Sequence, residues 1–393
     1  MIDASKLRAW YAHRQGLDGS LEGKTSAEVL QRAGWARSVG GVSPYLTLFS
    51  RGGITREQAD SDAAKLKIYE LPSARGCTYV LPAPDFALGL AAGQGFDSDM
   101  KAAIKLGVTQ KEIAKLCDAV VAALEKGPLG TEEIREAAGK AVRNLGEEGK
   151  KKGVSTTLPL ALGELQASGD IRRVPINRRF DQQRYQYALW RPNPLRGFKL
   201  SPEQVQTELA RAYFSWIGPA SAGDFQTFAG LGVKAAQAVL QPMKLEAVEI
   251  APGDTRLLLP QHRAEFDAFK PPKEPRYSLL GSIDSLFLAR NDFKSALEPN
   301  DVASKFLAGS QTDLPSHAIV DRGRLIGLWE YDQATESIAW VSFVKKDKAL
   351  QEAVTRTENF VRHQLGDARS FGLDSPKSRA PRIAALRQSA ASA

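Results

Sequence analysis

Between Ser201 and Pro260 the apolar positions follow two periods in succession. Val205, Leu209, Ala212 and Trp216 recur at helical spacing and predict a helix with one buried face. Ser201 before Pro202, with Gln204 completing a capping box, marks its start, and Gly218-Pro219 marks its end. Ser221 can cap a second, short helix carrying Phe225 and Phe228. Gly230 and Gly232 supply a turn, and a third helix runs from about Val233 to a stop at Pro242. The period then falls to two in LEAVEIA and TRLLLP, joined by a Pro-Gly-Asp turn at 252–254, which predicts a β-hairpin. Three helices, the last two tightly joined, and then a hairpin make a winged helix-turn-helix.

The same order occurs upstream. Thr109 and Glu112 form a capping box, and Ile113, Leu116, Val120 and Leu124 continue one apolar face as far as Gly127-Pro128. Thr131 can cap the next helix. After a stretch rich in glycine and lysine, a helix from about Thr156 to Ser168 aligns Leu158, Leu162 and Leu165. Strands IRRVPI and RYQYALW follow, with NRRFDQQ between them as the wing. The first hundred residues give a looser copy. A helix carries Leu7, Trp10 and Tyr11, Thr25–Glu28 and Thr55–Gln58 are capping boxes, Ser43-Pro44 opens a helix through Phe49, and a hairpin spans about Lys67 to Leu81.

From about Lys270 the pattern changes. KPPKEP at 270–275 reads as a linker. SHAIV, LIGLWEY and SIAWVSFV predict a three-strand meander, followed by a long helix burying Leu350, Ala353, Val354, Phe360, Val361 and Leu365. The whole predicts an α+β fold: three tandem winged-helix units at 1–100, 101–198 and 199–269, a C-terminal β-rich domain at 270–372 closed by a long helix, and a disordered tail at 373–393.

Composition changes this picture little. The 43% hydrophobic and 25% charged residues are those of an ordinary globular protein. No run approaches the roughly 18 apolar residues of a membrane span, and the N-terminus lacks an apolar signal core, so a cytoplasmic protein is expected. Cys77 and Cys117 have no paired spacing, and His13, His262, His317 and His363 form no ligand motif. No metal and no cofactor are expected.

Charge changes it more. Lys150 to Lys199 holds eleven Lys or Arg against Glu164, Asp170 and Asp181, a surplus that equals the +8 of the whole chain. Arg172, Arg173, Arg178, Arg179 and Arg184 lie in or beside the second wing, and Lys150, Lys151 and Lys152 precede its third helix. Such cations neutralise phosphates and release counterions. That third helix has no Arg or Lys, so it suits backbone and shape contacts to double-stranded DNA better than base readout.

LRAWYAHRQGLDG, ARGCTYVLPAPD at 74–85, GPASAGDFQTFAGL at 218–231, LLGSIDSLFLARND at 279–292 and DRGRLIGLWEY at 321–331 occur in that order. In these the chain resembles the AlkZ-like (YcaQ-like) winged-helix DNA glycosylases, which release alkylated or crosslinked bases. The resemblance implies three winged helices around a basic channel. It also implies a Gln-x-Gln or Gln-x-Asp motif, positioning the attacking water, shortly before the segment SPYLTLFSR. Here that position reads Arg37, Ser38, Val39, and ARSVGGVS holds no Gln, Asp or Glu. Base excision passes through an oxocarbenium-like sugar that needs a polar or anionic group beside the water. Arg37 is suited instead to a phosphate. Asp284, which the resemblance implies lies near the channel, reads as a turn or capping residue, as do Glu70 and Asp85. No catalytic residue is therefore assigned.

The expectation is a DNA-binding relative of DNA-repair glycosylases, with duplex DNA, damaged or intact, as partner. The DNA-binding residues are Lys150, Lys151, Lys152, Arg172, Arg173, Arg178, Arg179, Arg184 and Arg37. An active glycosylase with a rearranged site is the first alternative, and a transcriptional regulator the second.

Overall fold

The structure, a computed structural model, describes residues 2–96, 98–182, 184–290, 292–298, 307 and 314–391. Asn291 of the 279–292 segment and Gln183 of the expected wing lie outside the described residues. The elements in chain order are α1 (Ala4–Arg14), α2 (Ser26–Ala33), β1 (Ala36–Arg37), α3 (Ser43–Gly52), α4 (Arg56–Ala64), β2 (Ile68–Pro72), β3 (Thr78–Pro82), α5 (Phe86–Ala92) and α6 (Ser98–Ile104). There follow α7 (Gln110–Leu124), α8 (Thr131–Ala138), α9 (Gly146–Lys151), α10 (Leu158–Ala167), β4 (Ile171–Pro175), β5 (Tyr185–Leu189), α11 (Pro202–Ile217), α12 (Ala222–Ala229) and α13 (Val233–Leu240). Next come β6 (Glu246–Ala251), β7 (Asp254–Leu258), α14 (Arg263–Ala268), β8 (Tyr277–Leu280), α15 (Ser285–Leu288), β9 (His317–Asp321), β10 (Arg324–Asp332) and β11 (Ser337–Ser342). Two more helices, Lys348–Phe360 and Pro376–Ala391, complete the order.

These elements divide into two compact units. The smaller comprises Glu70–Tyr79 and Pro84–Val205. Its core forms where Ile113, Leu116, Val120 and Leu124 of α7 meet Leu158, Leu162 and Leu165 of α10, with Ile134 and Ile171 alongside. Thr109 caps α7 by accepting the Glu112 N–H, but Glu112 turns away from a full capping box and pairs with Arg143 at 3.1 Å. The cap of α8 is Gly130, not Thr131: its N–H donates to Glu133 at 2.6 Å, and Thr131 opens the helix. Pro159 is tolerated because it falls in the first turn of α10, where no intrahelical donor is lost. β4 and β5 pair antiparallel, Ile171 opposite Leu189 and Arg173 opposite Tyr187.

The larger unit comprises Met1–Tyr69, Val80–Ala83 and Gln206–Ala393. Three of its capping boxes form with both hydrogen bonds, at Thr25–Glu28, Thr55–Gln58 and Ser221–Asp224. α11 buries Leu209, Tyr213, Phe214 and Trp216, and the α12–α13 pair leads into the β6–β7 hairpin. The C-terminal sheet has four strands, in the order β11-β10-β9-β8, rather than the expected three. β8 was not legible because its four residues, Tyr277, Ser278, Leu279 and Leu280, are too few to show a period. All six apolar positions expected on the long helix are buried; its last turn, Val361–Leu365, widens to a π-helix.

The tail departs from its expectation. Residues 376–391 form a helix, with Leu386 buried. Arg379 pairs with Asp367 at 2.7 Å, Arg382 with Glu330 at 2.9 Å and Arg387 with Asp332 at 2.9 Å. Its richness in Ser, Ala and Arg indicated disorder; the carboxylates that hold the helix lie elsewhere in the sequence.

Candidate nucleic-acid interface

The β4–β5 hairpin decides which cations remain available. Successive strand residues face opposite ways, so Arg172 and Arg173 part. Arg173 shares the face of Ile171 and Tyr187, whose side chains join the core. There its guanidinium lies 5.0 Å from the centre of the Tyr185 ring. It also lines a cleft of about 660 Å3 with Glu70, Asp99 and Glu164. Burial, and then the charge of Glu70, pushes the Tyr185 hydroxyl up to about 12. Arg173 is thus half-buried among carboxylates and tyrosine, and Arg172 is half-buried on the other face.

At the wing, Ile176 N–H donates to Arg184 C=O at 3.0 Å and closes the loop. Arg179 grips Asp181, with Nε donating at 2.8 Å and Nη2 making a second bond. Asp181 is buried, so this pair staples the wing. Arg178 and Arg184 are exposed. Arg178 has φ of 63°, a left-handed conformation that side chains adopt at a cost of about 1–2 kcal/mol.

Lys150 and Lys151 end α9 and Lys152 caps it; all three are exposed. Glu147 and Glu148 occupy the first turn, and Lys150 donates to Glu147 at 2.7 Å. Acids at the N-terminal end and bases at the C-terminal end suit the helix dipole. The basic surplus counted from Lys150 onward leaves out these two acids. Of the residues expected to touch DNA in this unit, Arg178, Arg184, Lys151 and Lys152 are exposed with no side-chain partner among the described residues, and Lys150 is exposed but paired.

In the larger unit, Arg37 ends β1 and is half-buried, while Ser38 is buried. The following loop is tied down: Gly372 N–H donates to Val39 C=O at 2.9 Å, and Val42 N–H donates to Arg369 C=O at 3.0 Å. A Cβ on Gly41 would lie 2.1 Å from the Ser370 carbonyl oxygen, so this approach demands glycine.

Asp284 caps α15, accepting the Leu286 N–H at 3.0 Å. It also makes a contact no local pattern revealed. Arg51 holds its two oxygens at 2.7 and 2.9 Å, and both side chains are fully buried. Gln15, also buried, accepts from Arg51 at 3.1 Å and from Ser285 at 2.7 Å and donates to Ala33 C=O at 2.8 Å. Both Asp284 oxygens are thus occupied. Glu70 and Asp85 are half-buried in the smaller unit. The Arg51–Asp284 pair spans 233 residues, beyond any spacing rule.

A second polar cluster surrounds His13. Its Nδ1 bonds Asp18 at 2.6 Å and its Nε2 bonds Glu265 at 3.0 Å. The hydrogen bond to Asp18 raises the His13 pKa above its usual value. Burial pushes Asp18 up, but hydrogen bonds from His13 and Ser20 outweigh it and bring it down to about 2. Burial, and then the charge of Arg14, takes His262 down to about 4. Among the described residues no group of three His, Cys, Asp or Glu could hold a metal ion, and no helix is long and apolar enough to cross a membrane. Cys117 is buried, with its thiol pushed up to about 12 by burial.

Three comparisons bear on this geometry. The family model described as DNA glycosylase AlkZ-like matches residues 39–363. The solved structure of Streptomyces sahachiroi DNA glycosylase AlkZ superposes with a TM-score of 0.68 and 19% identity, covering 94% of this chain and 98% of that one. No curated protein matches the sequence.

Proposed function

Because the chain belongs to the AlkZ-like DNA glycosylase family, we propose that it binds duplex DNA through backbone and shape contacts, as a relative of DNA-repair glycosylases without conventional glycosylase chemistry. Three tandem winged-helix units, at 1–100, 101–198 and 199–269, followed by the 270–372 domain, are the architecture this reading uses. The observation that carries it is the exposed cation set Arg178, Arg184, Lys151 and Lys152 at a hairpin tip and helix end in a member of this family. Arg178 and Arg184 engage phosphates; Arg173 and Arg179 shape the hairpin that presents them.

The proposal of no conventional chemistry rests on Arg37, Ser38 and Val39, which carry no carboxylate or carboxamide to orient a water, and on Asp284, whose oxygens Arg51 occupies. Catalysis from a rearranged site is the second reading, and family membership is what favours it. Incubating the protein with alkylated and with crosslinked duplexes and measuring released base separates the two. Binding without release is expected; release on any substrate overturns the non-catalytic reading. A strong preference for one sequence over random DNA would instead indicate a regulator.

A further inference from the structure

Just before the C-terminal helix the chain makes a tight turn, in which Asp374 N–H donates to Phe371 C=O at 3.1 Å and Phe371 N–H donates to the Asp374 side chain at 3.2 Å. Two large apolar side chains project from it: Phe371 is 46% exposed and Leu373 94% exposed. They lie beyond the residues the family model matches, which end at 363. Exposed leucines are common singly, but this one is held in place. Gly372 N–H bonds Val39 C=O, Val42 N–H bonds Arg369 C=O, the Gly41 backbone lies against Ser370, and Ser370 Oγ meets Ser282 Oγ at 2.7 Å. The backbone that presents Phe371 and Leu373 is thereby joined to the loop bearing Arg37, Ser38 and Val39.

We propose that Phe371 and Leu373 form an apolar wedge that inserts at a base step of duplex DNA beside the Arg37 loop. This rests on the duplex-binding reading above and goes beyond it. Apolar side chains inserted between base steps unstack and kink a duplex, and a fixed backbone lets them do so without first being ordered. The size of the tip selects the partner. Two side chains fall far short of the roughly 1,000 Å2 that a specific protein interface buries, whereas a base step matches a phenyl ring and an isobutyl group. Residues 369–387 hold five Lys or Arg against Asp374, a surplus that falls to one once the acids paired with three of them are counted. Three of these arginines pair with acids of the same unit, and Lys377 is exposed, six residues from Phe371.

The test uses the full-length protein and a short duplex carrying 2-aminopurine next to a single mismatch, where unstacking is easiest. Wild-type protein raises the 2-aminopurine fluorescence on binding and prefers the mismatched duplex over the matched one by about tenfold. Phe371→Ala/Leu373→Ala keeps its melting temperature but loses both the rise and the preference. Phe371→Trp restores the wedge surface and keeps them. A fluorescence rise retained in the double-alanine protein overturns the wedge while leaving duplex binding standing, as does a wild-type protein that binds without any rise. Failure of the wild-type protein to bind either duplex overturns the wedge and the duplex-binding reading together.

Discussion

Arg51 and Arg178 carry the same guanidinium group, yet the protein holds them in opposite ways. Arg51 is fully buried with Asp284 across two short bonds, and its remaining donors go to Gln15 and Ser50. Arg178 stands exposed at the tip of a wing, in a left-handed conformation. Between them lie Arg173, stacked on Tyr185, and Arg179, bound to buried Asp181. A formal charge count treats these four alike. Their surroundings separate those that maintain the fold from those a phosphate can reach.

The comparison breaks most visibly at the buried end. Asp284→Ala leaves Arg51 charged and unpaired inside the larger unit, so it is expected to cost about 3–5 kcal/mol in urea unfolding. Arg178→Ala/Arg184→Ala is expected to change stability by no more than about 0.5 kcal/mol per site. A mild Asp284→Ala would show that water reaches the pair. Next comes Asp181→Ala, which frees Arg179 and opens the wing; a loss of about 1–3 kcal/mol is expected for removing the partner of a half-buried charge. The lysines of α9 come lower. Lys151→Ala/Lys152→Ala is expected to weaken duplex binding and lower the salt slope by at most about 2, without moving the unfolding midpoint.

The smallest effect is one of pH. The folded His13 pKa is raised above its unfolded value of about 6.5 by Asp18 and Glu265. Its contribution is therefore fully present below about pH 6.5 and is lost as pH rises through the folded pKa. His262, with its folded pKa lowered to about 4, acts in the opposite sense: its neutral form favours the fold above about pH 6.5, and that advantage is lost as pH falls toward 4. Imidazole proton shifts followed by NMR should place His13 above, and His262 below, the free value. His13 titrating at or below it would contradict the hydrogen bonds to Asp18 and Glu265.

Much of the fold was legible because local chemistry fixes it. The Thr25, Thr55 and Ser221 caps form as the spacing predicts, and the helical faces of α7, α10 and Lys348–Phe360 are those the periodicity marks. β8 escaped notice because four residues are too few to show a period, and the C-terminal helix because its stability comes from Glu330, Asp332 and Asp367. At the candidate interface the types and positions of the cations were readable. Which of them are occupied was not, since Asp284 lies 233 residues from Arg51 and Glu70 faces Arg173 only through folding.

Duplex affinity measured against salt concentration for three proteins tests the central claim most directly. Wild type, Arg178→Ala/Arg184→Ala and Arg173→Gln would be titrated with the same random-sequence duplex. If the exposed wing arginines hold phosphates, the double variant binds more weakly and its slope of log K against log salt is shallower by about 2, while Arg173→Gln keeps the wild-type slope. A double variant with wild-type affinity and slope, or an Arg173→Gln slope as shallow as that of the double variant, would contradict the account.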